Sequence, residues 1–210
     1  MDLGEVSAVT PALTIPQVLR AYRTGMFPMG LGERGAAPYG WWSPHMRGVL
    51  EPGRLKITKS LRKSVRRFSW SCDLDFDGVI RGCADPRREG AWIDEEIIAI
   101  YSSLHSKGIA HSIEVWEDQR LVGGLYGLAL GSLFAGESMF HRATDASKVA
   151  LVHLVELLDG VASGRPWLID TQWSTPHLAT LGVSEIPRLE YERRLPALLG
   201  GIHSQGFLKN

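Results

Sequence analysis

Glu137, Asp170 and Gln172 are the side chains whose places along the chain best suit chemistry. Trp167-Leu168-Ile169-Asp170-Thr171-Gln172 reads as a short buried strand, and strand alternation puts Asp170 and Gln172 on one face with Thr171 opposite. Glu137 stands near the end of another apolar run, Leu133 to Met139. An ionised carboxylate behind Trp-Leu-Ile is costly unless it is hydrogen-bonded or paired. Two polar groups, a carboxylate and a carboxamide, therefore converge on one face of that strand. Neither residue type is specific. A salt-bridged structural Asp and a surface or structural Glu are the commoner uses of these residues.

The elements that position them run from Leu121 to Gln172. Leu121 to Leu130 and Leu133 to Met139 flank Gly131-Ser132, a pair suited to a tight hairpin turn, which makes the two strands antiparallel. From Asp145, a candidate N-cap, Ala146, Ala150, Leu154, Leu157, Leu158 and Val161 recur at helical steps as far as Gly164. Strand, crossover helix and strand form a right-handed βαβ unit with parallel strands. Ligands of open α/β sheets bind beyond the carboxyl ends of such strands, where all three candidate residues fall.

The 210 residues allow one large domain or two unequal ones, and the formal net charge of zero excludes a chain that binds polyanions over its whole surface. Cys72 and Cys83, the only cysteines, have neither disulfide-framework nor zinc spacing and fit a reducing cytoplasm. No uncharged stretch is long enough for a membrane helix. His105 and His111 lack a third partner at metal spacing, so no metal site is expected.

Residues 1–13 carry no periodicity and read as an arm. Thr14 caps a short helix ending at Gly25, and Trp41-Trp42 suits the core of a small domain. Between Arg54 and Arg67 lie seven basic residues and no acidic one. Such a run is usually a solvated face; here it is also the best landing place for a phosphate backbone, through Arg62, Lys63, Arg66 and Arg67. The fold class expected is α/β (α+β), a small N-terminal domain over residues 1–52 followed by a mixed sheet with flanking helices over 53–210. That sheet resembles the N-acyltransferase (GNAT-like) type. Acetyl-CoA enzymes of that fold hold pyrophosphate on a glycine-rich loop before the central helix, but here the stretch His141 to Lys148 contains no glycine. The acyl group must then come from another donor.

A more specific resemblance is carried by Ala21-Tyr22-Arg23-Thr24-Gly25-Met26-Phe27-Pro28, Trp41-Trp42-Ser43-Pro44 with Arg47, Val79-Ile80 with Cys83-Ala84, and Trp92-Ile93. It continues through the stretches 110–116, 121–127, Gly136-Glu137-Ser138-Met139-Phe140, Ala146-Ser147-Lys148, Leu168-Ile169-Asp170 with Gln172, and Glu185-Ile186-Pro187-Arg188. In order and in register, these resemble the leucyl/phenylalanyl-tRNA–protein transferase family.

The resemblance implies an aminoacyltransferase that moves Leu, Phe or Met from the 3′ end of an aminoacyl-tRNA to a protein whose first residue is Arg or Lys, marking it for N-end-rule degradation. Exchange of an ester for an amide is downhill, so no cofactor is implied, and a monomer is expected. An α-amine with a pKa near ~8 is roughly one-tenth neutral at pH 7 and needs only modest base assistance. By the resemblance, Gln172, oriented by Asp170, is the candidate for drawing the proton from the attacking amine, and Glu137 is the carboxylate that binds in the donor pocket. Positioning takes the larger share, since a carboxamide is a poor base. Leu125, Phe134, Ser138 and Ile169 would line the aminoacyl pocket, Trp92 would stack on the terminal adenosine, and the basic run would meet the acceptor stem. His153 stands where the family has Phe, on an otherwise apolar helix face, and is either a core residue or part of the pocket wall. Lys56-Ile57-Thr58-Lys59-Ser60 and Ala91 depart from the family pattern without removing a candidate site residue. A tRNA-binding module, or an acyl-CoA-dependent N-acyltransferase of the same fold, is the alternative.

Overall fold

A computed structural model describes residues 3–87, 92–162 and 164–200. Its strands are β1 (Val6–Thr10), β2 (Phe27–Gly30), β3 (Tyr39–Trp42), β4 (Met46–Leu50), β5 (Ser69–Cys72), β6 (Ala110–Glu117), β7 (Arg120–Leu130), β8 (Leu133–His141), β9 (Leu168–Gln172) and β10 (Ser184–Pro187). Its helices are α1 (Ile15–Arg23), α2 (Lys59–Arg67), α3 (Phe76–Cys83), α4 (Glu95–Ser106), α5 (Ala146–Ala162), α6 (Pro176–Thr180) and α7 (Arg188–Leu199). The fold is mixed α/β. Strands β1-β3-β2 form a small antiparallel sheet, and β10-β4-β9-β8-β7-β6-β5 form the large one. Strand β4, at the end of the stretch read as the small domain, is a strand of the large sheet. Among the described residues, no helix is long and apolar enough to cross a membrane.

The Gly131-Ser132 hairpin forms as the sequence predicts: Leu130 pairs with Leu133, and Gly131 takes φ +64, which an L side chain resists. Asp118 and Gln119, both at positive φ, close the preceding hairpin between β6 and β7. Asp145 differs from its expected role. Its carbonyl receives the first helical bond, from Val149 N–H at 2.9 Å, but the residue itself lies at φ +69. Its carboxylate meets Ser64 Oγ and Lys148 Nζ at 3.0 and 2.8 Å. It is thus a turn and ion-pair residue rather than a side-chain cap. The unperiodic start is also not a loose arm throughout, since residues 6–10 pair with β3.

The apolar side chains of α5 sort by helical period onto the large sheet. Val149, Leu154 and Leu158 join Leu125, Phe134 and Ile169 in one core, which α2 also covers. On the sheet's other face, α1, α3, α4 and the small sheet share a second core containing Trp41, Trp42, Tyr22, Tyr101 and Tyr126. Strand β8 therefore has a core on each side and pairs parallel with β9 through the crossover helix α5. The pairing covers Leu133↔Leu168, Phe134↔Ile169 and Ala135↔Asp170 and then stops. Beyond those pairs the two strands diverge, and the gap holds the candidate site.

Candidate active site

The divergence of β8 and β9 leaves a cavity of about 340 Å³. Leu125, Phe134, Met139, Leu151, Leu154, Ile169 and Leu178 give it apolar walls, while Glu137, Ser138, Thr171, Gln172, Thr175 and His177 supply polar groups. Four of the residues predicted for a pocket, Leu125, Phe134, Ser138 and Ile169, line it together with Glu137 and Gln172.

Gln172 is held there by an unusual backbone. Between Val49↔Asp170 and Gly48↔Gln172 the β4–β9 register slips, leaving Thr171 as a bulge. The Trp173 N–H then returns to the Thr171 carbonyl at 2.7 Å across Gln172, which has φ +59. This three-residue turn with a positive central φ is a rare, strained conformation, of the kind that persists where surrounding contacts over-determine it. One determinant is Asp170, whose Oδ1 accepts the Gln172 backbone N–H at 2.9 Å. Another is Gly48, where an added Cβ would come within 2.6 Å of the Trp173 carbonyl carbon. Simple alternation fails at this point: Thr171 and Gln172 both reach the cavity, and Asp170 acts on the backbone of Gln172 rather than on its side chain.

Asp170 is fully buried and does not line the cavity. Its carboxylate takes Nε and Nη2 of Arg47 at 2.8 and 2.6 Å and the Tyr191 hydroxyl at 2.7 Å, as well as the Gln172 N–H. Two parallel N–H···O bonds to one carboxylate are the strong, directional form of this pair. Arg47 donates also to the Gly25 carbonyl at 3.0 Å and packs its guanidinium against the rings of Phe27 and Tyr191. Burial alone would lower its pKa, but Asp170 beside it raises the pKa overall. Burial and the nearby Asp170 push the Tyr191 phenol well above its usual range, so it serves as a neutral donor.

Glu137, one strand away, receives the Tyr101 hydroxyl on Oε2 at 3.0 Å and the Gln172 carboxamide N–H on Oε1 at a long 3.4 Å. Tyr101 and Tyr22 share a 2.6 Å bond beneath it. Burial raises the Glu137 pKa to about 7, against the lowering effect of bonds from Tyr22 and Tyr101. Desolvation and the Glu137 charge raise both phenols well above their ordinary value. A carboxyl group with a pKa near 7 can both take and return a proton at neutral pH.

The other predicted residues are spread more widely. Trp92 is half-buried against the core shared with the small sheet, its carbonyl close to Gly35, and it does not line the cavity. His153 is buried on α5 away from the cavity, stacked on Trp70 with ring centroids 4.5 Å apart and bonded through Nδ1 to Glu156 at 2.8 Å. Arg62, Lys63, Arg66 and Arg67 are exposed on α2, with Arg67 paired to Glu117. Sequence reasoning missed Arg47, Tyr191, Tyr101 and Tyr22 as members of the site. It also gave no site role to His177, although Thr175-Pro176 marks the start of α6, the helix that brings His177 to the cavity.

An apolar cavity between diverging parallel strands, edged by an ionisable carboxyl and a carboxamide, has the form of an α/β enzyme site and the size and lining for a small apolar group. The particular family comes from comparison with known proteins. Residues 49–196 match the family model for leucyl/phenylalanyl-tRNA protein transferase, and residues 12–45 match the model for its N-terminal domain. The chain is 46% identical over 199 residues to the leucyl/phenylalanyl-tRNA–protein transferase of Nitrosospira multiformis, covering 91% of this chain and 82% of that one. It is 47% identical over 193 residues to that of Cereibacter sphaeroides (91% and 87% covered). With that of Thiobacillus denitrificans it shares 44% over 210 residues (98% and 90% covered). The chain belongs to the leucyl/phenylalanyl-tRNA–protein transferase family and is a transferase.

Proposed function

We propose that this enzyme transfers Leu, Phe or Met from the 3′ end of an aminoacyl-tRNA to the α-amino group of proteins that begin with Arg or Lys, marking them for N-end-rule degradation. The observation that carries this reading is the cavity itself. Its apolar walls suit an uncharged side chain such as that of Leu or Phe, and on this reading Glu137 and Gln172, on its polar edge, face the ester carbonyl of that residue. In the reaction the amine nitrogen bonds to the carbonyl carbon, the ester C–O bond breaks, and the proton lost by nitrogen is needed by the departing 3′ oxygen. Glu137, with its pKa near 7, is suited to take that proton and return it. Gln172, its backbone fixed through Asp170 and Arg47, serves to orient the reacting groups, because its carboxamide is too weak a base to do more. Asp170 is a positioning residue, since its carboxylate is enclosed by protein donors.

The basic face of α2 is the natural seat for the acceptor stem, where phosphate contacts need no sequence readout. Trp92 is proposed to stack on the terminal adenosine. The test of the reading is transfer of labelled Leu or Phe from charged tRNA to a peptide beginning with Arg. Label should appear in that peptide and not in the same peptide beginning with Ala. Labelling of neither peptide would overturn the proposal.

A further inference from the structure

The cavity has a second polar edge that the transfer chemistry does not use. His177, on α6, lines the cavity, and Lys148 in the first turn of α5 and His141 at the end of β8 lie within electrostatic reach of it. Burial first, then Lys148 and His141, hold the His177 imidazole below its ordinary pKa against the opposing effect of Asp145, so that it meets an anion chiefly as an N–H donor. One carboxylate lies among them, that of Asp145, and it is already engaged by Lys148 Nζ at 2.8 Å and by Ser64 Oγ at 3.0 Å. The Ser64 bond has a geometric consequence, because Ser64 is on α2. It ties the helix that exposes Arg62, Lys63 and Arg66 to the turn before α5, whose Asp145 also holds Lys148.

If the acceptor stem lies on α2 and the aminoacyl group fills the cavity, the single-stranded 3′ end joining them must cross the ground between, where these side chains stand. A single strand crossing a protein surface carries a phosphate at each step and is held by cationic groups along its backbone. We propose that Lys148 and His177, with His141 beside them, bind the last phosphodiester of the aminoacyl-tRNA and so set how deeply its amino acid enters the cavity. This inference rests on the transfer reading above and adds a binding site to it.

The test compares two donors in transfer to an Arg-initiated peptide: leucine esterified to cytidylyl-adenosine, which carries that phosphodiester, and leucine esterified to adenosine alone, which does not. The parent enzyme should use the dinucleotide ester with the higher kcat/KM. Lys148→Gln and His177→Gln should each reduce that advantage about tenfold, as expected for loss of a charge-assisted contact to a phosphate. An unchanged ratio in both variants would overturn the proposal. So would an equal fall for both donors, which would make the residues parts of the cavity wall. Failure of the transfer reading shows separately, as absence of transfer from full-length Leu-tRNA by the parent enzyme.

Discussion

Replacing Arg47 by Met tests whether the Asp170 network is what holds the site. The substitution removes two of the four donors on the Asp170 carboxylate, and the only cation bonded to it among the described residues. It also leaves the Gly25 carbonyl without its guanidinium donor. Both members of the pair are buried, with side-chain exposures of 2% and 0%, so water cannot take the place of the lost donors. Stranding one partner of such a pair costs about 3–5 kcal/mol, a large part of the ~5–15 kcal/mol that stabilises a typical domain. Adding Asp170→Leu removes the stranded charge and should recover most of that loss, since an apolar pair of similar volume is often as stable as a buried ion pair. Urea unfolding followed by tryptophan fluorescence would give both midpoints, and the double-mutant cycle would give the coupling. Transfer should be absent in the double variant even where stability returns, because the Gln172 N–H has lost its anchor. A cost for Arg47→Met below about 1 kcal/mol, or a double variant that folds no better than the single one, would refute the energetic argument. Normal transfer by the double variant would refute the positioning argument.

Other expectations follow from single contacts. The Glu137 pKa is raised from 4.5 to about 7 in the folded state, so the native protein binds the extra proton between those values. The associated stability is fully present below about pH 4.5 and is lost as pH rises through 7, by at most about 3 kcal/mol. Glu137→Gln should therefore flatten the stability profile between pH 5 and 8, and a parallel profile for variant and parent would count against a raised pKa. Gly48→Ala should lower both stability and transfer, since its methyl group would meet backbone atoms of Trp173 and Ser174 at 2.6 and 2.7 Å; an unchanged urea midpoint would show that this segment moves freely. His153→Phe should leave the Leu-to-Phe donor ratio unchanged, because His153 packs on Trp70 away from the cavity. A shifted ratio in competition between the two charged tRNAs would return it to the pocket wall. Changing Arg62, Lys63, Arg66 and Arg67 to Gln should reduce the salt slope of tRNA binding by about 2–3, less than four full contacts because Arg67 is tied to Glu117. An unchanged slope would place the RNA elsewhere.

Much of the supersecondary structure was legible because it is local. The Gly131-Ser132 turn, the apolar period of α5 and the parallel return to Leu168 each depend on residues close in sequence. The network under the site was not, since Arg47 and Asp170 are 123 positions apart and only the folded sheet puts β4 beside β9. Alternation placed Gln172 correctly at a strand end, but it could not foresee the Thr171 bulge or the positive φ, which come from the close approach of Gly48 and the pull of the Asp170 carboxylate. His153 illustrates the limit of a helical wheel. The face it shares with Leu154 is apolar throughout, yet only Leu154 borders the cavity, and the partner that claims His153 is a tryptophan on another strand. The start of the chain misled for a different reason: β1 has little apolar pattern of its own and is ordered by pairing with β3, which contains Trp41 and Trp42.

The central claim, that the opening between β8 and β9 is where the aminoacyl group is transferred, is tested most directly by Gln172→Ala. That change removes a side chain whose one hydrogen bond among the described residues is the long contact to Glu137, and it leaves the Asp170–Arg47 pair in place. Turnover with Leu-tRNA and an Arg-initiated peptide, measured beside the equilibrium affinity for the same tRNA, should show kcat lower by about 100-fold or more and Kd altered by no more than about threefold. Turnover close to that of the parent enzyme, or turnover and affinity falling by the same factor, would contradict the assignment.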